Sequence, residues 1–430
     1  MPKGLFGLSQ TTFSRRKVMN SVTLKVNSRL ITAAELGLDQ GFEFTELLGS
    51  ASTSFLHQNQ GLIGWGEALR ITATGSNRIE ELDTKWREVV SEAEITDQVN
   101  LPGSGLIAFG SIGFADQSKA ESVLVIPQLI IGLRDSRLWL TRINIEESAA
   151  LELIKKAAPN QTIRFENGTI SPELFTQNVV KALELINTNE VEKVVLARDL
   201  KAEVSSAFNI NPAITTLAKK FSSCFTYSVA GLFGSSPELL VQVSHSQVSA
   251  RVLAGTAGRG TDPGVDEAIG AALHSSTKNR AEHKFAVDSL VSALDELCVE
   301  IDADNEPFSL SLPNLWHLAS DIHAVLKANS SSLQVVKALH PSAAVAGTPK
   351  DKALELIKQI ETIDRGRYAG PVGWLGADGD GVWAIALRGA QLEHNTLTAF
   401  AGCGIVAGSD PEAELQETNL KFKPIVEALA

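Results

Sequence analysis

Apolar residues fall at two spacings along this chain, and the spacing changes near residue 170. Before that point glycine-bounded runs dominate. Gly61-Leu62-Ile63-Gly64-Trp65-Gly66 leads into 67–71 as one alternating strand pattern, and 106–114 lies among Gly103, Gly105, Gly110 and Gly113. Residues 123–127, 129–133 and 138–143 follow as a meander, so strands, turns and a few helices are expected here. Residues 160–169 are polar and read as a linker or surface loop. From Pro172 the period becomes helical: Phe175, Val179, Leu183 and Ile186 recur three and four apart, with Ser171 placed to cap the start. The pattern then predicts a buried strand over 191–200, a helix over 212–221, and strands over 225–233, 239–243 and 247–253. The longest helical pattern covers 266–302, with Phe285, Leu290, Leu294 and Leu297 among its apolar positions. Helix returns over 353–360 and 412–429, and strand over 371–375, 382–387 and 397–400. No repeat with a period of about 20–50 residues is present. Strands and helices mix without regular βαβ alternation, which predicts an α+β fold with large antiparallel sheets.

Composition narrows the function classes. The 430 residues suffice for one large domain or two ordinary ones, and 44% hydrophobic with 20% charged residues is a globular composition. Fifty acidic against 38 basic side chains leave a net charge of −12, which argues against a general nucleic-acid or anionic-membrane binder but allows a local basic pocket. Cys224, Cys298 and Cys403 are far apart and form no CxxC pair, so neither a disulfide framework nor a zinc knuckle is expected. Ser14-Arg15-Arg16-Lys17 has the twin arginines of an export signal, yet Lys25 and Arg29 interrupt the apolar stretch that should follow. No window approaches the length of an uncharged membrane span. The expectation is a cytoplasmic protein.

The obvious small motifs carry little. Gly255-Thr256-Ala257-Gly258-Arg259-Gly260 precedes Asp262-Pro263, a plausible helix start, and reads either as a plain turn or as backbone N–H groups holding an anion. It matches neither the Walker loop nor the dinucleotide fingerprint. Eight histidines show no HExxH pattern, and Ser235-Ser236 lacks the GxSxG elbow. Cys403, between two glycines, reads as a small buried residue because nothing nearby in sequence supplies a base. Glu414, Glu417 and Lys421 can share one helix face, as can Lys278 and Glu282, and spacing alone would make both sets solvated salt-bridged faces.

The words around these residues change that reading. They are Lys193-Val194-Val195-Leu196-Ala197-Arg198, Ser235-Ser236-Pro237-Glu238, Leu253-Ala254-Gly255-Thr256, and the stretch 278–283. Leu339-His340-Pro341-Ser342-Ala343-Ala344-Val345-Ala346-Gly347, Arg365-Gly366-Arg367-Tyr368-Ala369-Gly370 and Ala386-Leu387-Arg388 follow. The last is Ala401-Gly402-Cys403-Gly404-Ile405-Val406, continued by Ser409-Asp410-Pro411-Glu412-Ala413-Glu414 and Glu417. Over this half of the chain, from about residue 191 onward, the sequence resembles the chorismate-utilising enzymes: isochorismate, salicylate and aminodeoxychorismate synthases and anthranilate synthase large subunits. The resemblance implies a single large α+β domain of two packed, mainly antiparallel sheets flanked by helices, with one active site. Residues 1–160 would be a variable part adding strands to that domain, and 161–430 the chorismate-binding catalytic part.

Within the family, Lys193 stands where members that deliver water to chorismate C2 carry a lysine, and Ala254 stands where aminodeoxychorismate synthases carry one. The run from Leu339 to Ala344 looks more like isochorismate than salicylate synthases. The resemblance therefore implies an isochorismate synthase, an isomerase, with salicylate synthase or an anthranilate synthase large subunit as alternatives. It assigns Lys193 as base and Glu238 as acid. Arg388 and Tyr368 would hold the enolpyruvyl carboxylate, and Lys421 with backbone near Gly404, Gly255 and Thr256 would complete anion binding. His317 matches a histidine near the substrate, or packs as a core residue. Glu282 and Glu417, with Glu414 beside them, would bind Mg2+ as all-oxygen ligands. The partner implied is the small molecule chorismate, with no nucleic acid, membrane or glutaminase subunit, in a monomer or weak homo-oligomer. Menaquinone and siderophore synthesis both stay open as pathways.

Overall fold

The computed structural model describes residues 23–430 apart from 40, 152–153, 155–161, 305 and 312–314. The arginine pair at 15–16 and most of the polar stretch before 162 thus lie outside the described residues. The described residues form an α+β fold with one 13-stranded and one 10-stranded sheet, almost wholly antiparallel. Helices cover the outer faces, and one apolar core runs between the sheets, holding Phe109, Leu124, Tyr227 and Trp383 at or near zero exposure. Burying an aromatic of this size contributes about 1.5–3 kcal/mol, so the sheet interface dominates stability. Among the described residues, no helix is long and apolar enough to cross a membrane.

The strand order contains a repeat much longer than a period of about 20–50 residues. At the centre of the larger sheet, Thr53–His57 pairs with Phe225–Val229. Outward on one side come Gln60–Trp65, Leu129–Arg134, Arg137–Ile143 and Lys25–Ile31; on the other come Leu232–Ser236, Gly389–Glu393, Thr396–Val406 and Lys193–Glu203. In the smaller sheet, Ile107–Ser111 pairs with Pro371–Gly376 at the centre. Ser122–Ile126 and Leu69–Ala73 lie beyond the one, Gly381–Ile385 and Leu239–Ser244 beyond the other. Both halves of the chain therefore visit the two sheets in the same succession, related by an approximate twofold. The second half adds a long excursion after Leu239–Ser244, made of Gln247–Gly258, two helices and Leu315–Leu326.

Several elements differ from the expected pattern, each for a local reason. Residues 60–71 are not one strand: Gly66, at φ 68°, turns the chain from the larger sheet into the smaller. The meander likewise breaks at 127–128, where the chain changes sheets. Residues 225–233 fold back at Ala230-Gly231, with φ of 49° and 83°, as a two-residue hairpin. The long pattern at 266–302 is two helices, Pro263–Ser275 and Thr277–Asp295, followed by the strand Cys298–Ala303. Ser276 breaks it by adopting an extended conformation and capping the second helix through its hydroxyl. Residues 255–258 are not a turn but the end of a strand, with a bulge at Gly255, φ 79°. The helices Arg78–Glu92 and Ser332–Leu339 and the strand Leu315–Leu326 were not anticipated.

Candidate active site

Two sheet-to-sheet crossings bring the site together. The chain leaves the larger sheet after Leu232–Ser236 and enters the smaller at Leu239; it returns after Gly381–Ile385 and re-enters at Gly389. These crossings run side by side: Ile385 N–H donates to the Glu238 carbonyl at 3.0 Å, and Ser235 N–H donates to the Arg388 carbonyl at 3.3 Å. Ser236 shapes the first, its hydroxyl accepting from Glu238 N–H at 3.2 Å. Arg388 sits at φ 51°, a left-handed conformation that a long side chain adopts only where its surroundings enforce it. Glu238 and Arg388, far apart in sequence, are thereby fixed as neighbours.

Lys193 arrives from the strand Lys193–Glu203, which opposes Thr396–Val406 in the larger sheet. Gly404 lies on the same face one step along, and a Cβ built there would stand 2.8 Å from Lys193 Cε. The absent side chain is thus the space the lysine occupies. Val195 and Ala197 turn their backbone groups outward, the former to Ala346 O at 2.9 Å and the latter to Glu361 at 2.7 Å. The opposed Gly404 and Gly402 must then turn theirs the other way. The Gly402 carbonyl accordingly accepts from Lys421 Nζ at 2.8 Å.

Charges converge on Glu238. Loss of hydration raises its pKa above the usual 4.5, while Lys193, Lys421 and Arg388 act in the opposite direction. Desolvation wins, so this carboxyl holds its proton more tightly than a free one despite three nearby cations. Burial also lowers the His317 pKa; its ring hydrogen-bonds to the backbone of Gly255, and Lys193 lowers it further. Tyr368 is buried, stacked on Phe400 at 5.1 Å, and pushed up to about 12 chiefly by burial. Arg388 reaches Tyr368, Glu417 and Glu238 electrostatically. Three basic side chains thus gather around one buried carboxyl inside an acidic protein.

The acidic set is the least complete. Glu414 and Glu417 lie one turn apart near the start of the helix Pro411–Ala428, whose Phe422 and Ile425 anchor it to the outer face of the larger sheet. Glu417 pairs with Lys421 at 2.5 Å, and Glu414 accepts from Ser409 Oγ at 2.7 Å. Among the described residues, no three His, Cys, Asp or Glu side chains converge as metal ligands. The side chains of Glu282 and Thr256 lie outside the described residues; their backbones lie on the helix Thr277–Asp295 and opposite His317, respectively. Cys403 is buried, donates to the Glu414 carbonyl at 3.7 Å, and has its thiol pKa driven up by burial. It is not an activated nucleophile. Two residues near the site were given no role by the sequence: Ser409, which belongs to the word Ser409–Glu414 and orients Glu414, and Cys224, which lies within electrostatic reach of Arg388. Cys224 had no motif at all.

A buried carboxyl within reach of three basic side chains therefore lies where the chain crosses between two antiparallel sheets. The chain belongs to the chorismate binding enzyme family, whose pattern matches residues 49–430. It is 33% identical over 369 residues to the isochorismate synthase DhbC of Bacillus subtilis, covering 83% of this chain and 88% of that protein. Its fold matches the menaquinone-specific isochorismate synthase MenF of Escherichia coli with a TM-score of 0.73 at 22% identity, over 95% of both chains. It also matches anthranilate synthase component I of Streptococcus pneumoniae with a TM-score of 0.68 at 22% identity, covering 87% of this chain and 92% of that one. One fold thus serves relatives named for different products, and the product has to be argued from the site.

Proposed function

We propose that this protein is an isochorismate synthase, adding water at C2 of chorismate and expelling the C4 hydroxyl. The observation that carries this reading is the approach of Lys193 to the buried Glu238 carboxyl, in a chain a third identical to DhbC. Lys193 takes a proton from the attacking water as its oxygen bonds to C2. Both conjugated ring double bonds shift by one position, from C1=C2 to C1=C6 and from C5=C6 to C4=C5, as the C4–O bond breaks and Glu238 delivers its proton to the departing hydroxyl, which leaves as water. One water enters and one leaves, so the conversion is an isomerisation. The raised pKa of Glu238 suits an acid that must arrive protonated.

Arg388 and Tyr368 hold the enolpyruvyl carboxylate, the guanidinium through paired hydrogen bonds. Lys421 and the N–H of Gly404, with Gly255 and Thr256, meet the ring carboxylate. Glu282, Glu414 and Glu417 are the carboxylates that would hold Mg2+. An all-oxygen donor set, of which Glu414 and Glu417 are partly or largely exposed, suits a hard cation that keeps several waters. When bound, the ion would supply positive charge that offsets the repulsion between these carboxylates and the ring carboxylate.

Purified protein incubated with chorismate and Mg2+ without ammonia, with products separated chromatographically, tests the assignment. Isochorismate should accumulate. Stoichiometric pyruvate would overturn it in favour of salicylate synthesis. Lys193→Ala and Glu238→Gln should each lower turnover about 10²–10⁴-fold while leaving the fold intact, the usual effect of losing a positioned proton-transfer group.

A further inference from the structure

A buried ion pair behind the cleft has no part in the chemistry above. Glu361 ends the helix Lys350–Ile360, and Arg365 opens the turn that carries Tyr368; both side chains are 3% exposed. Arg365 Nε donates to Glu361 Oε2 at 2.8 Å and its Nη2 to Oε1 at 2.5 Å. The remaining bonds go to backbone. Arg365 Nη1 donates to the Val345 carbonyl at 3.0 Å and Nη2 to the Val195 carbonyl at 2.7 Å, while Glu361 Oε1 accepts from Ala197 N–H at 2.7 Å. The guanidinium also lies over the Phe114 ring at 4.5 Å.

The outer edge of the strand Lys193–Glu203 explains why these contacts matter. Its start pairs with Gly347–Thr348 and its far part with Glu166–Asn167. Between those two short strands, no third strand among the described residues covers Val195 and Ala197. Their outward carbonyl and N–H would be orphaned in an apolar interior, at a cost of about 1–3 kcal/mol each. The ion pair accepts one and donates to the other, as a neighbouring strand would. A buried ion pair seldom adds net stability over an apolar pair, because desolvation consumes its Coulomb energy. What an apolar pair could not supply is the fixed donor and acceptor.

We infer that Arg365 and Glu361 are positioning residues that replace a missing length of strand and fix Lys193 relative to Tyr368. Lys193 lies two residues before Val195 on the same face, and Tyr368 N–H donates to the Arg365 carbonyl at 3.0 Å. The pair therefore holds a base-bearing strand and a substrate-bearing turn by the same two side chains. This inference rests on Lys193 being the base.

The test combines Glu361→Gln with the double variant Glu361→Gln/Arg365→Met, which leaves no buried charge unpaired and so guards against failure to fold. Amide exchange by mass spectrometry over 193–199 is compared with a reference segment at 371–385, alongside kcat and KM for chorismate. Exchange should accelerate over 193–199 only, and kcat should fall about 10–100-fold with KM nearly constant, the effect of a displacement near 1 Å. Native-like exchange in both variants would overturn the clamp. Faster exchange with unchanged kcat would overturn its positioning role. A Lys193→Ala protein with normal turnover would strike the assignment of the base instead, and the exchange measurement would still decide the clamp.

Discussion

Gly404→Ala separates catalysis from stability in a way the geometry makes quantitative. The new methyl would stand 2.8 Å from Lys193 Cε and 3.6 Å from its Nζ. Carbon atoms in contact keep about 3.5–4.0 Å, so the lysine tip has to retreat by roughly 1 Å. It can do so by a side-chain rotation, because the obstructed atom is near the far end of a long side chain and the nearest atoms to the methyl are all side-chain atoms of Lys193. Alanine even favours a strand over glycine by about 0.5–1 kcal/mol, through lost freedom in the unfolded chain. Turnover has no such tolerance. A reacting group displaced by about 1 Å loses about 100-fold, or roughly 2.7 kcal/mol of transition-state stabilisation. Steady-state rates of chorismate consumption, with kcat and KM determined separately, and thermal unfolding of the same samples make the assay. The expected result is a kcat lower by about 100-fold, a nearly constant KM, and a Tm equal to or above the native value. A Gly404→Ala enzyme with native kcat would show that Lys193 does not work from the position it occupies here.

Stability should depend on pH through Glu238. Its folded pKa is raised above 4.5, so the folded state binds that proton more tightly than the unfolded chain. The stabilisation is present below that value and lost as pH rises through the folded pKa. Glu238→Gln, which cannot ionise, should therefore gain in Tm relative to native protein as pH rises from about 4 to 8; a difference constant across that range would refute the burial argument. Metal dependence should be complete and reversible: chelation with EDTA abolishes turnover and added Mg2+ restores it. Calorimetric titration should show Mg2+ binding tighter when chorismate is present, and Glu417→Ala should weaken both. Undiminished turnover after rigorous chelation would exclude a role for the acidic set as metal ligands.

The chemistry of the site was more legible in the sequence than its architecture. Short words such as Ser235-Ser236-Pro237-Glu238 and Ala386-Leu387-Arg388 marked residues that the fold does bring together. Their meeting could not be read, because it depends on two crossings joined by backbone bonds between residues about 150 positions apart. Periodicity sees a strand but not the sheet it joins. Gly61–Ile71 looked continuous because its alternation survives the turn at Gly66, and 123–133 looked like one meander for the same reason. The two helices of 263–295 merged because the break at Ser276 is a single polar residue that also begins the second helix. The Arg365–Glu361 clamp was invisible, since a charged pair four apart near a helix end reads as a solvated surface bridge unless the burial is known.

The repeat in strand order explains why a duplicated scaffold carries one site. In the first half, Lys25 begins the strand that corresponds to Lys193–Glu203, and Glu67 lies in the crossing that corresponds to the one with Glu238. These two residues are not a second site. Lys25 faces solvent with its side chain 73% exposed beside Glu94, and Glu67 pairs with Arg70 at the surface. The difference lies in the excursion after Leu239–Ser244, which the first half replaces with the helix Arg78–Glu92 and the strand Glu94–Asp97. That excursion supplies Gly255, Glu282 and His317, and it brings His317 and the Gly255 backbone beside Lys193. Desolvation is the largest influence on both Glu238 and His317, whereas Lys25 and Glu67 stay at the surface. An amine and a carboxyl at corresponding places in the two halves thus meet opposite fates: in the half that carries the excursion they can share a proton-transfer task, and in the half that lacks it they remain ordinary surface charges.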